Sequence, residues 1–406
     1  MSILHKTRAV IAAGAVASLV TACGGATIDA DSDGAAPGVT GDTIKIGLLP
    51  DLTGPVAAIG APLTLGAQTY VDHLNEEGGI AGRQVELVVK DTQFNPQRAV
   101  QEYRKIKDDV LAIVTTVGEG ITAAVVPEAD KDNMFSWPGT YTESYRATEH
   151  PPITTPYIYE ALGGIDYFAN ELGAKGKKVS SFNLESGINI DYSKAVEVGA
   201  TAYGMEAGTS IAKPASETDY TGAVQTVSGG DPDFMLVGTA PVQAASFIGT
   251  AFSQGLRVPT MVSSVGYSPS VLATETGSVL SEVAYVTSPW AAWDSDEVGQ
   301  KELVAALEPD QERDVQIQVG WVMAKGLTDL IAMAAEAGDL SRDGIKDALS
   351  TATLDFGGIA PTVDFTPKDG VYGTSKETRI YKVTPDGLEL VKDLFTADAA
   401  DQVDSE

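Results

Sequence analysis

The chain has 406 residues, with 56 acidic against 27 basic side chains and a formal net charge of −29, a balance that argues against nucleic acid and anionic lipid surfaces, both of which are held by basic patches. With 43% hydrophobic residues, 42 glycines and 20 prolines, it is a globular chain with many loops, long enough for two cored domains.

The first residues point to export. His5, Lys6 and Arg8 form a basic segment, and 10–20 is an apolar run too short to span a bilayer comfortably. It ends in Leu19-Val20-Thr21-Ala22-Cys23-Gly24, which resembles the lipobox of bacterial lipoproteins. That likeness implies a signal peptide over 1–22, cut before Cys23, and acylation of Cys23. Cys23 is the only cysteine, so an intramolecular disulfide, a thiol nucleophile and a cysteine metal site are ruled out. Acyl chains there would tether the chain to the extracytoplasmic face of the bacterial cell membrane. Residues 23–42 are small, polar and acidic, a flexible tether. Asp29, Asp31, Asp33 and Gly34 open like an EF-hand loop, but Thr40 stands where its glutamate belongs and Pro37 interrupts it. No metal and no cofactor is expected.

Ile44, Ile46, Leu48 and Leu49 predict a strand buried on both faces. A glycine- and proline-bearing loop over 51–60 follows. Leu63, Ala67, Tyr70, Val71 and Leu74 recur at helical spacing until Gly78-Gly79, and 85–89 is the next strand. A parallel crossover of this kind puts the 51–60 loop, with Thr53, Gly54 and Ile59, at the carboxyl edge of a sheet, where open α/β folds bind small ligands. A helix is predicted over 99–106 and a strand over 110–115. Gly118, Glu119 and Gly120 lie in a loop feeding a helix at 123–129, and a strand at 134–137 leads into Pro138-Gly139-Thr140-Tyr141-Thr142. Loops at the ends of neighbouring strands converge on one cleft.

The pattern then restarts. Strands are predicted at 177–183, 234–237, 259–263 and 283–286, with helices opened by Asp191-Tyr192-Ser193 and spanning 242–252. Such a run means a second parallel sheet and a second lobe. The apolar stretch 315–335 is broken by Gln316, Gln318, Lys325, Thr328 and Asp329, which favours a packed helix over a membrane span. Strands near 363–365, 379–383 and 388–394 come last. The acidic tail 395–406 is expected to be disordered from Asp398 onward.

The order of residues is similar to that of the type I periplasmic binding proteins of the leucine/isoleucine/valine-binding kind, ligand receptors of ABC importers, a group that includes amide and urea receptors. The residues that carry the likeness are I-K-I-G-L-L, L-T-G-P-V-A-A-I-G and L-N-E-E-G-G-I-A-G-R-Q-V-E-L-V-V-K-D within 44–91, then Asp191-Tyr192, Gly255-Leu256-Arg257-Val258-Pro259, and Gly357-Gly358 before Val363-Asp364-Phe365. The resemblance implies an α/β fold of two Rossmann-like lobes with parallel sheets, joined by three crossover strands near 157–160, 287–290 and 354–358. The first lobe would comprise 43–158 and 288–355, the second 159–287 and 356–394. A monomer would close on a small ligand by a hinge motion and deliver it to an ABC permease and its ATPase.

The likeness also implies site residues. Ile59 stands where relatives often place an aromatic, and Glu119 where they place a hydroxyl that holds the ligand carboxylate. Thr140, Tyr141 and Thr142 follow the matching Pro138-Gly139; Tyr192 matches a second-lobe tyrosine, though Ser193 replaces the usual glycine. Thr239 and Tyr267 complete the expected ligand-binding set. A carboxylate at Glu119 would repel a ligand carboxylate or be forced to protonate, so an amine, an amide or a neutral polar ligand fits better if Glu119 faces the cleft. A loop position facing solvent is the bland alternative. Trp137, Tyr141, Tyr145, Tyr157 and Tyr159 suit either an aromatic-walled pocket or core and hinge packing.

Catalysis finds little support. There is no G-x-S-x-G, H-E-x-x-H, Walker loop or G-x-G-x-x-G, and only His73 and His150 remain after the signal peptide. Asp355-Phe356-Gly357 has none of the companions of a kinase. The expected function is a lipid-anchored receptor for a small polar ligand, such as a branched-chain amino acid or amide. The alternatives are a sensory ligand-binding lipoprotein and, further off, a secreted hydrolase working by carboxylates.

Overall fold

A computed structural model describes residues 36–405 of the chain; the expected signal peptide, Cys23, the Asp29–Gly34 loop and most of the tether lie outside them. β1 (Thr43–Leu49) carries Ile44, Ile46, Leu48 and Leu49 fully buried, and pairs in parallel with β2 (Gln84–Val89) and β3 (Ala112–Thr116). α1 (Ala57–Glu76) and α2 (Pro96–Ile106) form the connections; the second starts cleanly because Asn95 accepts from Arg98 N and Pro96 needs no donor. α3 (Glu119–Lys131) leads to β4 (Ser136–Trp137), completing a four-stranded parallel sheet in the order β2-β1-β3-β4.

The second sheet begins after α4 (Tyr157–Glu171). β5 (Lys178–Leu184), α5 (Gly187–Tyr203), β6 (Glu206–Lys213), α6 (Thr221–Ser228), β7 (Phe234–Gly238), α7 (Pro241–Ser253), β8 (Thr260–Val262), α8 (Gly277–Val283) and β9 (Ala284–Ser288) alternate; β6, α6 and α8 are additions to the elements expected from the sequence. The chain then returns to the first lobe with α9 (Val298–Ala306), α10 (Val315–Glu336), α11 (Arg342–Leu349) and a short antiparallel ribbon, β10 (Thr353–Leu354) with β11 (Val363–Asp364). β12 (Glu377–Thr384) and β13 (Gly387–Thr396) finish a seven-stranded sheet in the order β13-β12-β9-β8-β7-β5-β6. It is parallel from β9 to β6, but β12 runs antiparallel to both β9 and β13, since a link as short as Pro385-Asp386 can only make a hairpin.

Three segments, 138–156, 289–297 and 366–376, carry the chain between the sheets. Two of the expected crossings are therefore corrected. Tyr157–Glu160 is the first turn of α4, not a strand. Residues 354–358 stay on the first lobe, where Gly299 N donates to Gly357 O at 2.8 Å. The tail is corrected as well. Ala397, Ala399, Ala400 and Val403 are buried, and Ala399 N donates to the Tyr203 hydroxyl at 3.1 Å, so small apolar residues between the acids pin it to the second lobe. At the other end Ala36 and Val39 pack on the core, and Val39 bridges to Ile44, so the last tether residues are docked.

The largest apolar cluster runs through both lobes, from Ile44 and Trp137 by way of Tyr157 to Phe234 and Met261. Its tightest seam is the crossing of α1 and α10. A Cβ on Gly66 would run into the carbonyl oxygen of Ile317, and one on Gly320 into that of Leu63. Only glycine lets the two backbones meet this closely. Beside the crossing, Trp321 meets Tyr70 edge-on at 5.0 Å between centroids and stacks on His73 at 5.4 Å, which gives His73 a packing role. Among the described residues no helix is long and apolar enough to cross a membrane.

Gly320→Ala should push α1 and α10 apart and lower the unfolding free energy by about 2 kcal/mol, even after the ~1 kcal/mol gain in helix propensity. Urea denaturation reads this directly: an unchanged midpoint would mean that the seam relaxes at no cost.

Candidate functional site

Strands that run parallel end at one edge, and here the two edges face each other. Between them lies a cavity of about 120 Å³. The first lobe supplies Val56, Ile59 and Leu63 from the start of α1, Thr116 to Glu119 after β3, Gly139 to Tyr141 after β4, and Gln316, Val319 and Met323 from α10. The second lobe supplies Leu184, Ser186 and Ile188 after β5, and Thr239 and Ala240 after β7. The walls are mainly apolar. Among the lining residues Glu119 is the only one with an acidic side chain, and none is Lys, Arg or His.

The loops on the first lobe are tied together by hydroxyls and glycine. Gly118 has φ +92° and caps α3; a side chain there would meet both this left-handed backbone and the Phe94 ring. Its N–H donates to Gly139 O at 3.0 Å, and Gly139 N donates to Thr122 Oγ1 at 3.0 Å. The loop before α1 is shaped by Asp51, whose buried carboxylate accepts from Gly54 N at 2.5 Å and Val56 N at 2.8 Å.

Glu119 is the first residue of α3, where the sequence predicted a loop, and it reaches across to the other lobe. Its Oε2 accepts the N–H of Gly187, the first residue of α5, at 2.5 Å. A carboxylate at a helix N-terminus meets unpaired N–H groups and the positive end of the helix dipole. Gly187 has to be small, because a Cβ there would collide with Thr142 Oγ1 and Glu119 Oε1. A second contact runs the opposite way: Glu143 N donates to Asp191 Oδ2 at 2.9 Å. Asp191 is 4% exposed, and burial, with Glu143 and Glu119 nearby, pushes its carboxyl up to about 8 despite that hydrogen bond.

A buried polar layer starts in the cavity wall itself, where Tyr141 and Tyr157 are lining residues. Tyr141 and Tyr157 meet edge-on at 5.6 Å, and burial raises both phenols above their ordinary range. Glu160 has no exposed surface; it accepts from Ser264 N at 3.1 Å and Oγ at 2.8 Å, yet burial still pushes its carboxyl up to about 8. At neutral pH it is largely a neutral acid.

Of the residues singled out from the sequence, Ile59, Gly118, Glu119, Thr140, Tyr141, Tyr157 and Thr239 line this cavity. Thr142 sits just outside, paired with Thr140 hydroxyl to hydroxyl at 2.8 Å. Thr53 is exposed and spends its hydroxyl on Asp91 at 2.6 Å, while Gly54 shapes the loop; neither lines the cavity. Gly120 points outward on α3, and Tyr192, in the second turn of α5, is fully buried in the core. Tyr267 faces a different cavity, beside Trp290 and Trp293. Sequence reasoning missed Val56, Leu63, Ile188, Val319 and Met323. The last two come from α10, whose residues are buried nearly all round, so no stripe marks the face toward the ligand. His150 is buried between Ser136 O at 2.9 Å and Asp130 Oδ1 at 3.0 Å, and neither described histidine lines the cavity.

Comparison with known proteins agrees with this geometry. A family model described as periplasmic binding protein matches residues 43–387, so the chain belongs to that family of extracytoplasmic substrate-binding proteins. A leucine-, isoleucine-, valine-, threonine- and alanine-binding protein of Pseudomonas aeruginosa is 28% identical over 197 residues, 48% of this chain and 49% of that protein. A Leu/Ile/Val-binding protein of Rhizobium johnstonii is 40% identical over 87 residues, 21% of this chain. The matched stretches thus span only 23% to 49% of these two curated relatives. Among solved structures, a fatty acid ABC transporter substrate-binding protein from Thermomonospora curvata superposes with a TM-score of 0.82 at 28% identity, over 90% of this chain and 95% of that one. A branched-chain amino acid ABC transporter protein from Thermus thermophilus with bound valine gives a TM-score of 0.76 at 16% identity, over 90% and 99% of the two chains, and shares the fold alone.

The raised carboxyl of Glu160 makes stability depend on pH. Its ordinary value is 4.5 and its folded value about 8, so its stabilising proton is retained at low pH and lost as pH rises through about 8. Unfolding free energy measured in urea should fall from about pH 4.5 to about 8 and level off above that, and Glu160→Gln should flatten that fall, leaving the share due to the other buried carboxyls raised in the same way, Asp191, Asp314 and Asp329. An identical pH profile in the variant would contradict a neutral Glu160.

Proposed function

From that membership we propose that the chain is the substrate receptor of an ABC importer, anchored outside the cytoplasm by lipid at Cys23. It works as a monomer that captures a small ligand between its lobes, closes on it and presents it to a membrane permease driven by an ATPase. The observation that carries this reading is a single cavity lined by the strand ends of both sheets. No metal or cofactor enters the reading.

The lining also supports a ligand class. Its apolar walls suit a small aliphatic body, a feature shared by the branched-chain amino acids and fatty acids named for the relatives. The head group is a different matter. The Glu119 carboxylate, from the start of α3, rests on the N-terminus of α5, and no lining cation would offset a second carboxylate. Two carboxylates in a dry site repel strongly, whereas an amine or amide can donate to Glu119. The proposed ligand is therefore a small aliphatic amine or amide.

Thermal unfolding with matched pairs tests this. Isovaleramide and isoamylamine should raise the melting temperature more than isovalerate, and leucinamide more than leucine, at equal concentration. Equal or greater stabilisation by the carboxylates would overturn the ligand class; no stabilisation by any pair would count against the receptor reading itself. Separately, Cys23→Ser should move the protein from the membrane fraction to the soluble one, and a variant that stays membrane-bound would remove the tether from the account.

A further inference from the structure

A second cavity, of about 420 Å³, lies against α10 as the first does. Gln316, Val319 and Met323 of that helix line the first cavity, whereas Val315 and Gln318 line the second, on a neighbouring face. The second lobe contributes Tyr267 after β8, Tyr381 on β12 and Leu388 on β13, and the connecting segment 289–297 contributes Trp290 and Trp293. No residue lines both cavities. They come near each other where the Trp290 ring lies 6.4 Å from that of Tyr141, which lines the first.

Buried side chains leave polar atoms unspent in this second cavity. Trp290 is 2% and Tyr267 7% exposed, and neither the Trp290 indole N–H nor the Tyr267 hydroxyl has a partner among the described residues. Gln318 is 1% exposed and held in place, since its Nε2 donates to Ala291 O at 2.9 Å and to Gln300 Oε1 at 2.6 Å. Both amide hydrogens are used, so its oxygen is the atom left for the cavity. The aromatic wall is fixed as well: Tyr381 donates its hydroxyl to Trp290 O at 2.8 Å. Buried polar groups without partners cost free energy that a ligand recovers by pairing with them. Charge gathers at the rim. Arg313, Asp294 and Asp386 also line the cavity; all three are exposed, and none is paired with another described residue.

The geometry points to a second binding site, built for a zwitterion with an aromatic body, the class of the aromatic amino acids. The ligand carboxylate accepts from Arg313 and from the Trp290 and Tyr267 donors. The ammonium donates to Gln318 Oε1 and is offset by Asp294 and Asp386, and aromatic faces favour a cation beside them. The ligand ring packs on Trp293, which is half-buried. A simple acid would leave two rim carboxylates facing its own, and a simple amine would leave Arg313 without a counter-ion. The first cavity has the opposite character: it is far smaller, and Glu119 is its only charged lining side chain. A ligand in the second site touches both lobes and the connecting segment without entering the first cavity, so it binds alongside the first ligand rather than in its place.

Isothermal titration calorimetry of the mature chain with L-tryptophan, tryptamine and indole-3-propionate tests the site. L-Tryptophan should bind at one site, and the other two, each lacking one charged group, should bind about tenfold more weakly or worse. Arg313→Ala should weaken L-tryptophan by a similar factor, and saturating isovaleramide should leave its affinity unchanged. Asp294→Asn combined with Asp386→Asn should weaken L-tryptophan yet tighten indole-3-propionate, a reversal that damage to the fold would not produce. Melting curves show that each variant is folded before it is compared. Absence of L-tryptophan binding, binding that Arg313→Ala leaves unchanged, or binding displaced by isovaleramide would overturn the second site. Equal binding of tryptamine or indole-3-propionate would overturn the zwitterion. If isovaleramide does not bind at all, the ligand class proposed for the first cavity is lost, and Arg313→Ala still decides the second site.

Discussion

A carboxylate from one lobe resting on the first N–H of a helix in the other is the interaction on which the functional account depends. Glu119 sits at the start of α3 and Gly187 at the start of α5, and both positions exist because a parallel sheet sends every helix off from the same edge. Two such edges, set face to face, bring helix N-termini from both lobes around one cavity. Free N–H groups and dipole ends gathered there attract negative charge. In this chain Glu119 already provides it. The chain has satisfied its own anion-attracting helix end, and what it leaves for a ligand is a small apolar space with a spare carboxylate at its rim.

The rest of the site keeps that geometry rigid. Gly118, with its left-handed backbone, lets α3 start where it does, and Thr122 stitches the loops after β3 and β4 together. Asp51 holds the loop ahead of α1, so that Val56 and Ile59 reach the cavity while Thr53 and Gly54 do not. Below them the glycine-to-glycine crossing of α1 and α10 locks the helix that contributes Val319 and Met323. Tyr141 and Tyr157 in the cavity wall, with the buried Glu160, form a dense layer that burial keeps neutral. A wall without mobile charges makes the single charge at Glu119 count for more.

The architecture was legible in the sequence because its signals are local. Ile44 to Leu49 reads as a buried strand from six residues, and two rounds of strand–helix alternation give two lobes. The site was legible where it lies in the loops after strands or at helix starts, as at Ile59, Gly118, Glu119, Thr140, Tyr141, Tyr157 and Thr239. Partners distant along the chain were not. Position 119 was marked as unusual, but nothing local says that its partner is the backbone of Gly187, 68 residues on. Tyr192 matched the family pattern and proved to be core, since a helix buried on several sides gives no sign of which face meets the cavity. The tail was misjudged for a related reason: Asp398 and Asp401 dominate its composition, while Ala397, Ala399, Ala400 and Val403, which do the packing, look bland.

Hydrogen exchange at the Gly187 amide tests the central claim most directly, because that N–H is held by the opposite lobe only when the lobes are closed. Titrating an amide or amine that raises the melting temperature should slow exchange at Gly187 in step with saturation, and Glu119→Ala should abolish the effect. Exchange that stays the same from free to saturated protein would contradict closure of the two lobes through Glu119.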